Sequence, residues 1–464
     1  MKFLSGFKNN FGITFRLAYP VMLSQLGQVM VGVADNIMVG RLGAEPLAAA
    51  SLANSIFFLI LMFGIGISMA ITPMVAAADG EGKKNRIGRL LSHGFVINAV
   101  ASVLLFLVIV LLSPGLAFLD QPGEVVVLAT PYLLIITFSL VPFMFFQTFK
   151  QFTEGLSQTK QAMYITVVCN LLNIGLNWLL IYGNWGFPEL GLNGAGWATL
   201  ISRVLMAIAI YVYVNGSARY RKYVAVFQVK NLSWPLISKM LRIGIPTGMQ
   251  FVFEVGAFSA AAIMMGWIGV NALASHQIAI NLASISYMMA SGLSAAAMVR
   301  VGNQLGRRDI GMLRQVGFSI FGMVVAFMMF FAVIFIVWRN YLPILYINDT
   351  EVVEMAASLL VIAGLFQLSD GVQVVGLGAL RGLSDVKVPT FVTMVAYWVV
   401  GLPLGYVLAF WLDLEALGVW IGLLIGLTLT AVMLLLRFHS LSLKLLVKYK
   451  DKTADQLTNT EQFL

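Results

Sequence analysis

Charge is the scarcest property of this 464-residue chain, with 11% of residues Asp, Glu, Lys or Arg. Soluble domains carry roughly a quarter. Hydrophobic residues make up 60%, and the mean hydropathy is +0.90. A water-soluble fold cannot hide that much apolar surface, so a polytopic membrane protein is expected. Cysteine is nearly absent: Cys169 stands alone, which excludes an internal disulfide. The histidines His93, His276 and His439 are scattered, and no CxxC or HExxH spacing suggests a metal centre. No nucleophile stands with a base in an arrangement that points to a membrane enzyme, and no cofactor is expected. The start MKFLSGFKNN runs directly into an apolar stretch, so no cleavable leader is expected.

Long hydrophobic runs are what the chain has. A spanning helix needs ~20 mostly apolar residues. Twelve runs meet that need, with cores at 11–38, 47–78, 90–113, 127–150, 161–183, 194–215, 241–266, 273–299, 312–338, 352–379, 389–411 and 416–437. They are continuous rather than alternating, which excludes a membrane β-barrel. The predicted fold class is an all-α polytopic membrane protein of twelve transmembrane helices.

The net charge of +9 is read as attraction to anionic lipid, not to nucleic acid. Of the 29 Lys and Arg, two (Arg41 and Arg339) fall on odd-numbered connections. Those connections carry acids: Glu45, Asp120, Glu124, Glu189, Asp349, Glu351, Glu354, Asp413 and Glu415. Even connections hold Lys83, Lys84, Arg86 and Arg89, then Arg219, Arg221 and Lys222, then Arg307 and Arg308. Both termini are therefore expected to be cytoplasmic. The basic stretch ARYRKY, 218–223, reads as a solvated cytoplasmic linker.

The halves resemble each other. At a slide of 226 residues, Pro20 meets Pro246, Gly40 meets Gly266, Gly43 meets Gly269, Gly66 meets Gly292 and Gly80 meets Gly306. At 227, Gly155, Leu156, Ser157 and Lys160 meet Gly382, Leu383, Ser384 and Lys387. Six spans per half put both repeats in the same orientation, with a cleft expected between two six-helix lobes. The expected division is an N-lobe over 1–217, a linker over 218–240, a C-lobe over 241–440 and a cytoplasmic tail over 441–464.

Ionisable groups inside spans are costly and mark function by default. Three acids qualify: Asp35 in VGVADNIMVG of span 1, Glu254 in span 7 and Asp370 in span 10. Helical spacing puts Gln25, Gln28 and Asp35 on one face, Thr247, Gln250 and Glu254 on another, and Gln367, Asp370 and Gln373 on a third. Asn170, Asn173 and Asn177 share a face of span 5, and Gln277, Asn281 and Ser284 share one of span 8. Lipid would penalise these faces, so they are expected to point into the bundles or the cleft. Interhelical hydrogen-bond glue is the plainer alternative. The acids do not follow the repeat: Asp35 is in register with Ala261, Glu254 with Gln28, and Asp370 with Phe143. Structural glue would more naturally recur in both halves.

A carboxylate taken partly out of water holds a proton more tightly, and two together do so further. Carboxylates and amide oxygens also suit a hard cation such as Na⁺. The same charge attracts cationic cargo, and competition for one site is the simplest basis for antiport. The 32 Phe and 24 Met fit an adaptable pocket for organic cations, although lipid-facing use is commoner. Arg203 in span 6 reads as a snorkelling or carboxylate-paired arginine. His276, at the start of span 8, reads as a capping or interfacial histidine, or as a site residue. Glu154 and Arg381 occupy corresponding span ends, where an inner gate is one reading.

The stretch YPVMLSQLGQVMVGVADNIMVGRLGAEPLAAASLANS resembles the first two helices of multidrug and toxic compound extrusion (MATE) transporters. LRIGIPTGMQFVFEVGAF and ASHQIAINLASISYM resemble helices 7 and 8 of the NorM branch of that family, and LFQLSDGVQVVGLGALRGLSD resembles helix 10. The resemblance covers roughly residues 11–440. It implies a twelve-helix, two-lobed antiporter working by alternating access on hydrophobic, often cationic small molecules. It further implies a C-lobe cation site at Glu254 and Asp370, and an N-lobe site at Asp35 with Asn173, Asn177 and Thr199. Gln28, Gln250, His276, Gln277, Asn281, Gln367 and Gln373 are the accessory candidates. A sister branch has aspartate where this chain has Asn177, which places cation coupling mainly at Glu254 and Asp370.

The expected function is a multidrug efflux antiporter of the bacterial inner membrane, acting as a monomer and exchanging cargo for Na⁺ or H⁺. The alternative is a lipid or lipid-linked oligosaccharide flippase of related architecture. Such a cavity would present several Lys or Arg, whereas the embedded charges here are three acids and one arginine.

Overall fold

The computed structural model describes residues 2–118, 122–224 and 232–461. Asp120, linker residues 225–231 and tail residues 462–464 lie outside the described residues. Among the described residues, twelve helices are long and apolar enough to cross a membrane. They are span 1 (Asn10–Gly40), span 2 (Ala44–Gly80), span 3 (Lys84–Leu116), span 4 (Gly123–Gly155), span 5 (Lys160–Tyr182) and span 6 (Gly191–Gly216). After a short helix, Ala218–Val224, come span 7 (Trp234–Ile268), span 8 (Val270–Arg307) and span 9 (Ile310–Val337). Span 10 (Thr350–Gly382), span 11 (Lys387–Phe410) and span 12 (Glu415–Tyr449) complete the set. No strand occurs among the described residues. All twelve apolar runs are spans, so this is a multi-pass membrane protein.

The repeat seen in the sequence is also a repeat of conformation. Gly43 and Gly269 precede spans 2 and 8 with φ of 129° and 155°, a region closed to most side chains. Ser157 and Ser384 both turn left-handed after spans 4 and 10, with φ of 61° and 59°. Their N–H groups donate to Glu154 O and Arg381 O, each at 2.8 Å. The prolines in register, Pro20 and Pro246, both lie inside helices. Each removes one helical hydrogen bond there.

The contact pattern divides the chain into two units. The N-unit is Leu23–Val75 with Lys83–Val252, and the C-unit is Met1–Met22, Ala76–Gly82 and Phe253–Leu464. Spans 1 and 7 are thus each shared between units.

Within the N-unit, Phe146, Phe152, Leu90 and Tyr220 are fully buried. His93 fixes the start of span 7. Its Nε2 accepts the Ser233 N–H at 2.9 Å, so the ring proton sits on Nδ1, which donates to Arg89 O at 2.7 Å. His93 is therefore structural, and Cys169 is an ordinary buried thiol.

The C-unit core has two clusters, one around Met265, Phe335, Phe366 and Trp420, the other around Leu293, Phe321, Leu380 and Phe438. The 76–82 segment packs on span 8 through two glycines. A Cβ on Gly80 would stand 2.1 Å from Asn303 O, and one on Gly306 would stand 2.0 Å from Ala77 O. Residues 77 and 303 are themselves in register, so the contact is reciprocal across the repeat. Arg300 ties the first turns of span 1 to span 8, donating to Asn10 O at 3.0 Å, Asn10 Oδ1 at 2.7 Å and Thr14 Oγ1 at 2.6 Å.

Candidate functional site

The C-unit centre is built on spans 7, 8, 10 and 11. Glu254 is 5% exposed and Asp370 is 4% exposed. The two carboxylates lie within electrostatic reach of each other. Asp370 has no cationic side chain within 4.0 Å among the described residues. An acid so placed must bind a proton or a cation, because an unpaired buried charge costs several kcal/mol. Gln373 Nε2 donates to Glu254 Oε1 at 3.3 Å, and the Tyr397 hydroxyl donates to Gln373 Oε1 at 3.0 Å. Gln367, one turn before Asp370, is 0% exposed, and neither of its amide atoms has a partner among the described residues. A buried amide in that state costs about 1–3 kcal/mol. An oxygen-seeking cation or a water would satisfy it.

Tyr397 reaches this centre because span 11 is locally π-helical over Val395–Gly401. The wider turn also brings Trp398 Nε1 to the Phe253 carbonyl at 3.0 Å, bracing span 7 beside Glu254. π turns inside α-helices concentrate at functional sites. Tyr287 on span 8 also reaches Glu254 and Asp370. Arg381 lies within electrostatic reach of Tyr287 and Glu254. The sequence reading missed both tyrosines. Tyr287 continues the Gln277, Asn281, Ser284 spacing and was within reach of that pattern.

One expectation needs correction here. His276 is neither a cap nor interfacial: it is buried, and its Nδ1 accepts from Trp420 Nε1 at 3.1 Å. Gln277 and Asn281 on span 8 are exposed. Gln250 is buried on span 7, one turn before Glu254. Glu154 sits 4.0 Å from Lys150 inside the N-unit, which gives it a local partner.

The N-unit centre joins spans 1 and 5, with spans 4 and 6 beside it. The Asn177 amide donates to Asp35 Oδ1. With the Asn173 amide oriented to satisfy both ends, its nitrogen donates to Asp35 Oδ1 at 3.2 Å and its oxygen accepts the Thr199 N–H at 3.3 Å. Thr199 therefore acts through its backbone and not its hydroxyl. Charge-assisted bonds of this kind contribute about 1.5–3 kcal/mol each against the cost of burying the acid. Tyr182 donates to Met38 O at 2.7 Å, which pins the end of span 1 to span 5. Gln28 is half-buried and makes no hydrogen bond among the described residues.

Arg203 departs from the carboxylate-paired reading of it. It pairs with no carboxylate within 4.0 Å among the described residues. Its Nη1 donates to Ser139 Oγ at 2.8 Å. The guanidinium lies 4.8 Å from the Phe143 ring centroid and 5.1 Å from that of Phe57.

Among the described residues no group of three His, Cys, Asp or Glu could hold a metal. What the two centres offer is paired or amide-cradled carboxylates inside membrane spans, suited to exchanging protons or hard cations.

Comparison with known proteins identifies the scaffold. The model of the MatE family matches residues 20–179 and again 246–407, and the second match starts one repeat length after the first. A probable multidrug resistance protein NorM of Agrobacterium fabrum is 36% identical over 452 residues, covering 96% of both chains. The multidrug resistance protein NorM of Photobacterium profundum is 35% identical, covering 91% of this chain and 94% of its own. Among solved structures, a MATE protein in a bent conformation aligns with a TM-score of 0.87 at 20% identity, covering 97% of this chain and 99% of its own. A eukaryotic MATE transporter aligns at 0.85 and 22% identity, covering 96% and 100%. At those identities the structures support the fold.

Proposed function

Since this chain belongs to the MatE family, we propose that it is a secondary multidrug efflux antiporter. It exports hydrophobic, often cationic compounds in exchange for Na⁺ or H⁺ by alternating access. The observation that carries this reading is the placement of acids that break the repeat. Glu254 and Asp370 sit together in the C-unit and Asp35 in the N-unit, where the register partners are Gln28, Phe143 and Ala261. A scaffold that repeats while its charges do not is a scaffold with two different binding tasks.

In this reading Glu254 and Asp370 bind the coupling ion. The ion is Na⁺ in preference to H⁺, because the buried Gln367 adds an amide oxygen beside the carboxylates. Asp35, steadied by Asn173 and Asn177, takes cargo or a proton. The protein works as a monomer in the bacterial inner membrane, with both termini cytoplasmic, as the Lys and Arg distribution supports. The N-lobe spans 1–217 and the C-lobe 241–440, joined by the 218–240 linker and followed by the 441–464 tail.

The test is efflux of a fluorescent organic cation from proteoliposomes, driven separately by a Na⁺ gradient and a pH gradient. Transport under one gradient supports antiport and names the ion. No transport under either, from folded protein, would contradict antiport and favour a flippase, with lipid-linked cargo tested next.

A further inference from the structure

Arg203 is a positive charge in span 6 whose position does not depend on any acid. Among the other arginines, Arg437 is locked to an acid, Asp385, at 2.8 Å, while Arg300, with three oxygens at the start of span 1, and Arg314 are held, like Arg203, by neutral groups. Arg203 is held by one hydroxyl, Ser139 Oγ, and by the faces of Phe57 and Phe143. Ser139 stands at the break in span 4, between the helices Gly123–Phe138 and Leu140–Gly155. All of these anchors are neutral. The guanidinium therefore stays in place whether or not Asp35 is charged, protonated or bound to something else. Arg203 stands one helical turn after Thr199, whose N–H is bonded by the same Asn173 amide that donates to Asp35, and the ionisable groups within its electrostatic reach are Asp35 and Tyr132. Asp35 keeps its own hydrogen bonds to Asn177 and Asn173 and is not consumed in an ion pair with it.

A strut would do as well with a glutamine or a carboxylate-paired arginine. A permanent cation on neutral anchors beside an exchangeable acid has a consequence for what can bind. With Asp35 ionised, the two charges cancel. Cargo with one positive charge leaves the site at +1, and cargo with two leaves it at +2. Repulsion in a low-dielectric interior rises steeply with that count.

We propose that Arg203 is a specificity-determining residue, a fixed charge beside Asp35 that makes the N-unit centre accept organic monocations and reject dications. The proposal rests on the transport reading above. It adds the charge class of cargo and the residue that sets it.

Ethidium and propidium share one phenanthridinium ring and carry one and two positive charges, so they are a matched pair of probes. Binding of each to the purified full chain in detergent is followed by dye fluorescence. Wild type is expected to bind ethidium at least about tenfold more tightly than propidium. Arg203→Gln should narrow that ratio to within about threefold, and Arg203→Lys should restore it. A ratio unchanged in folded Arg203→Gln would overturn the proposal and leave Arg203 a strut of span 4. Should that variant fail to fold, Asp35→Asn decides: it leaves Arg203 unopposed, so the ratio must widen, and an unmoved ratio would overturn the proposal. If wild type binds neither dye, the transport reading fails and this inference falls with it.

Discussion

Gln373 links Tyr397 to Glu254, accepting from the tyrosine hydroxyl at 3.0 Å and donating to the carboxylate at 3.3 Å. The amide can do both only in one orientation, so the tyrosine fixes which end faces the acid. Tyr397→Phe removes that constraint while keeping the ring. One such hydrogen bond is worth about 1 kcal/mol, or about fivefold in rate. Initial rates of gradient-driven dye efflux should fall by about that factor, with the thermal midpoint little changed.

Gln367 separates a structural from a ligating role cleanly. It is fully buried, with neither amide atom partnered among the described residues. If it only fills space, Gln367→Leu stabilises the protein by about 1–3 kcal/mol and transport is untouched. The account expects the stabilisation together with a loss of about tenfold or more in Na⁺-driven efflux. Thermal unfolding and efflux, measured on the same preparation, check both.

Asp35→Asn leaves the Asn177 and Asn173 donors facing a neutral amide. Export should drop by about tenfold or more, and the thermal midpoint should move by only about a few degrees. Export at the wild-type rate would reduce Asp35 to interhelical glue.

The reciprocal glycines make a structural prediction. Gly306→Ala sets a methyl 2.0 Å from Ala77 O, against backbone that cannot rotate away. A loss of about 1–3 kcal/mol is expected. Gly12→Ala in span 1, where nothing lies within 4 Å of the added atom, should be neutral or stabilising. Midpoints of thermal unfolding in detergent compare the two.

Much of the fold could be read from hydropathy alone, because lipid demands ~20 apolar residues per span and every run that met the demand became one. The repeat was legible because glycines such as Gly43, Gly80, Gly269 and Gly306 meet positional needs that no other residue meets. The three acids were legible because charge inside lipid is costly. What surrounds them was less so. The π turn at Val395–Gly401 lies in an apolar run with no local signature, so Tyr397 was invisible. His276 meets Trp420, 144 residues away, and the cradle of Arg203 draws on spans 2 and 4, contacts that no local pattern encodes. The division of spans 1 and 7 between units falls inside unbroken helices, where sequence periodicity carries no boundary.

The central claim is that Glu254 and Asp370 couple the ion to export. Proteoliposome efflux under an imposed Na⁺ or pH gradient, comparing wild type with Glu254→Gln and Asp370→Asn, tests it most directly. The account predicts that both variants fold and bind dye yet lose the gradient-driven part of efflux. Full gradient-driven efflux in either variant would contradict it.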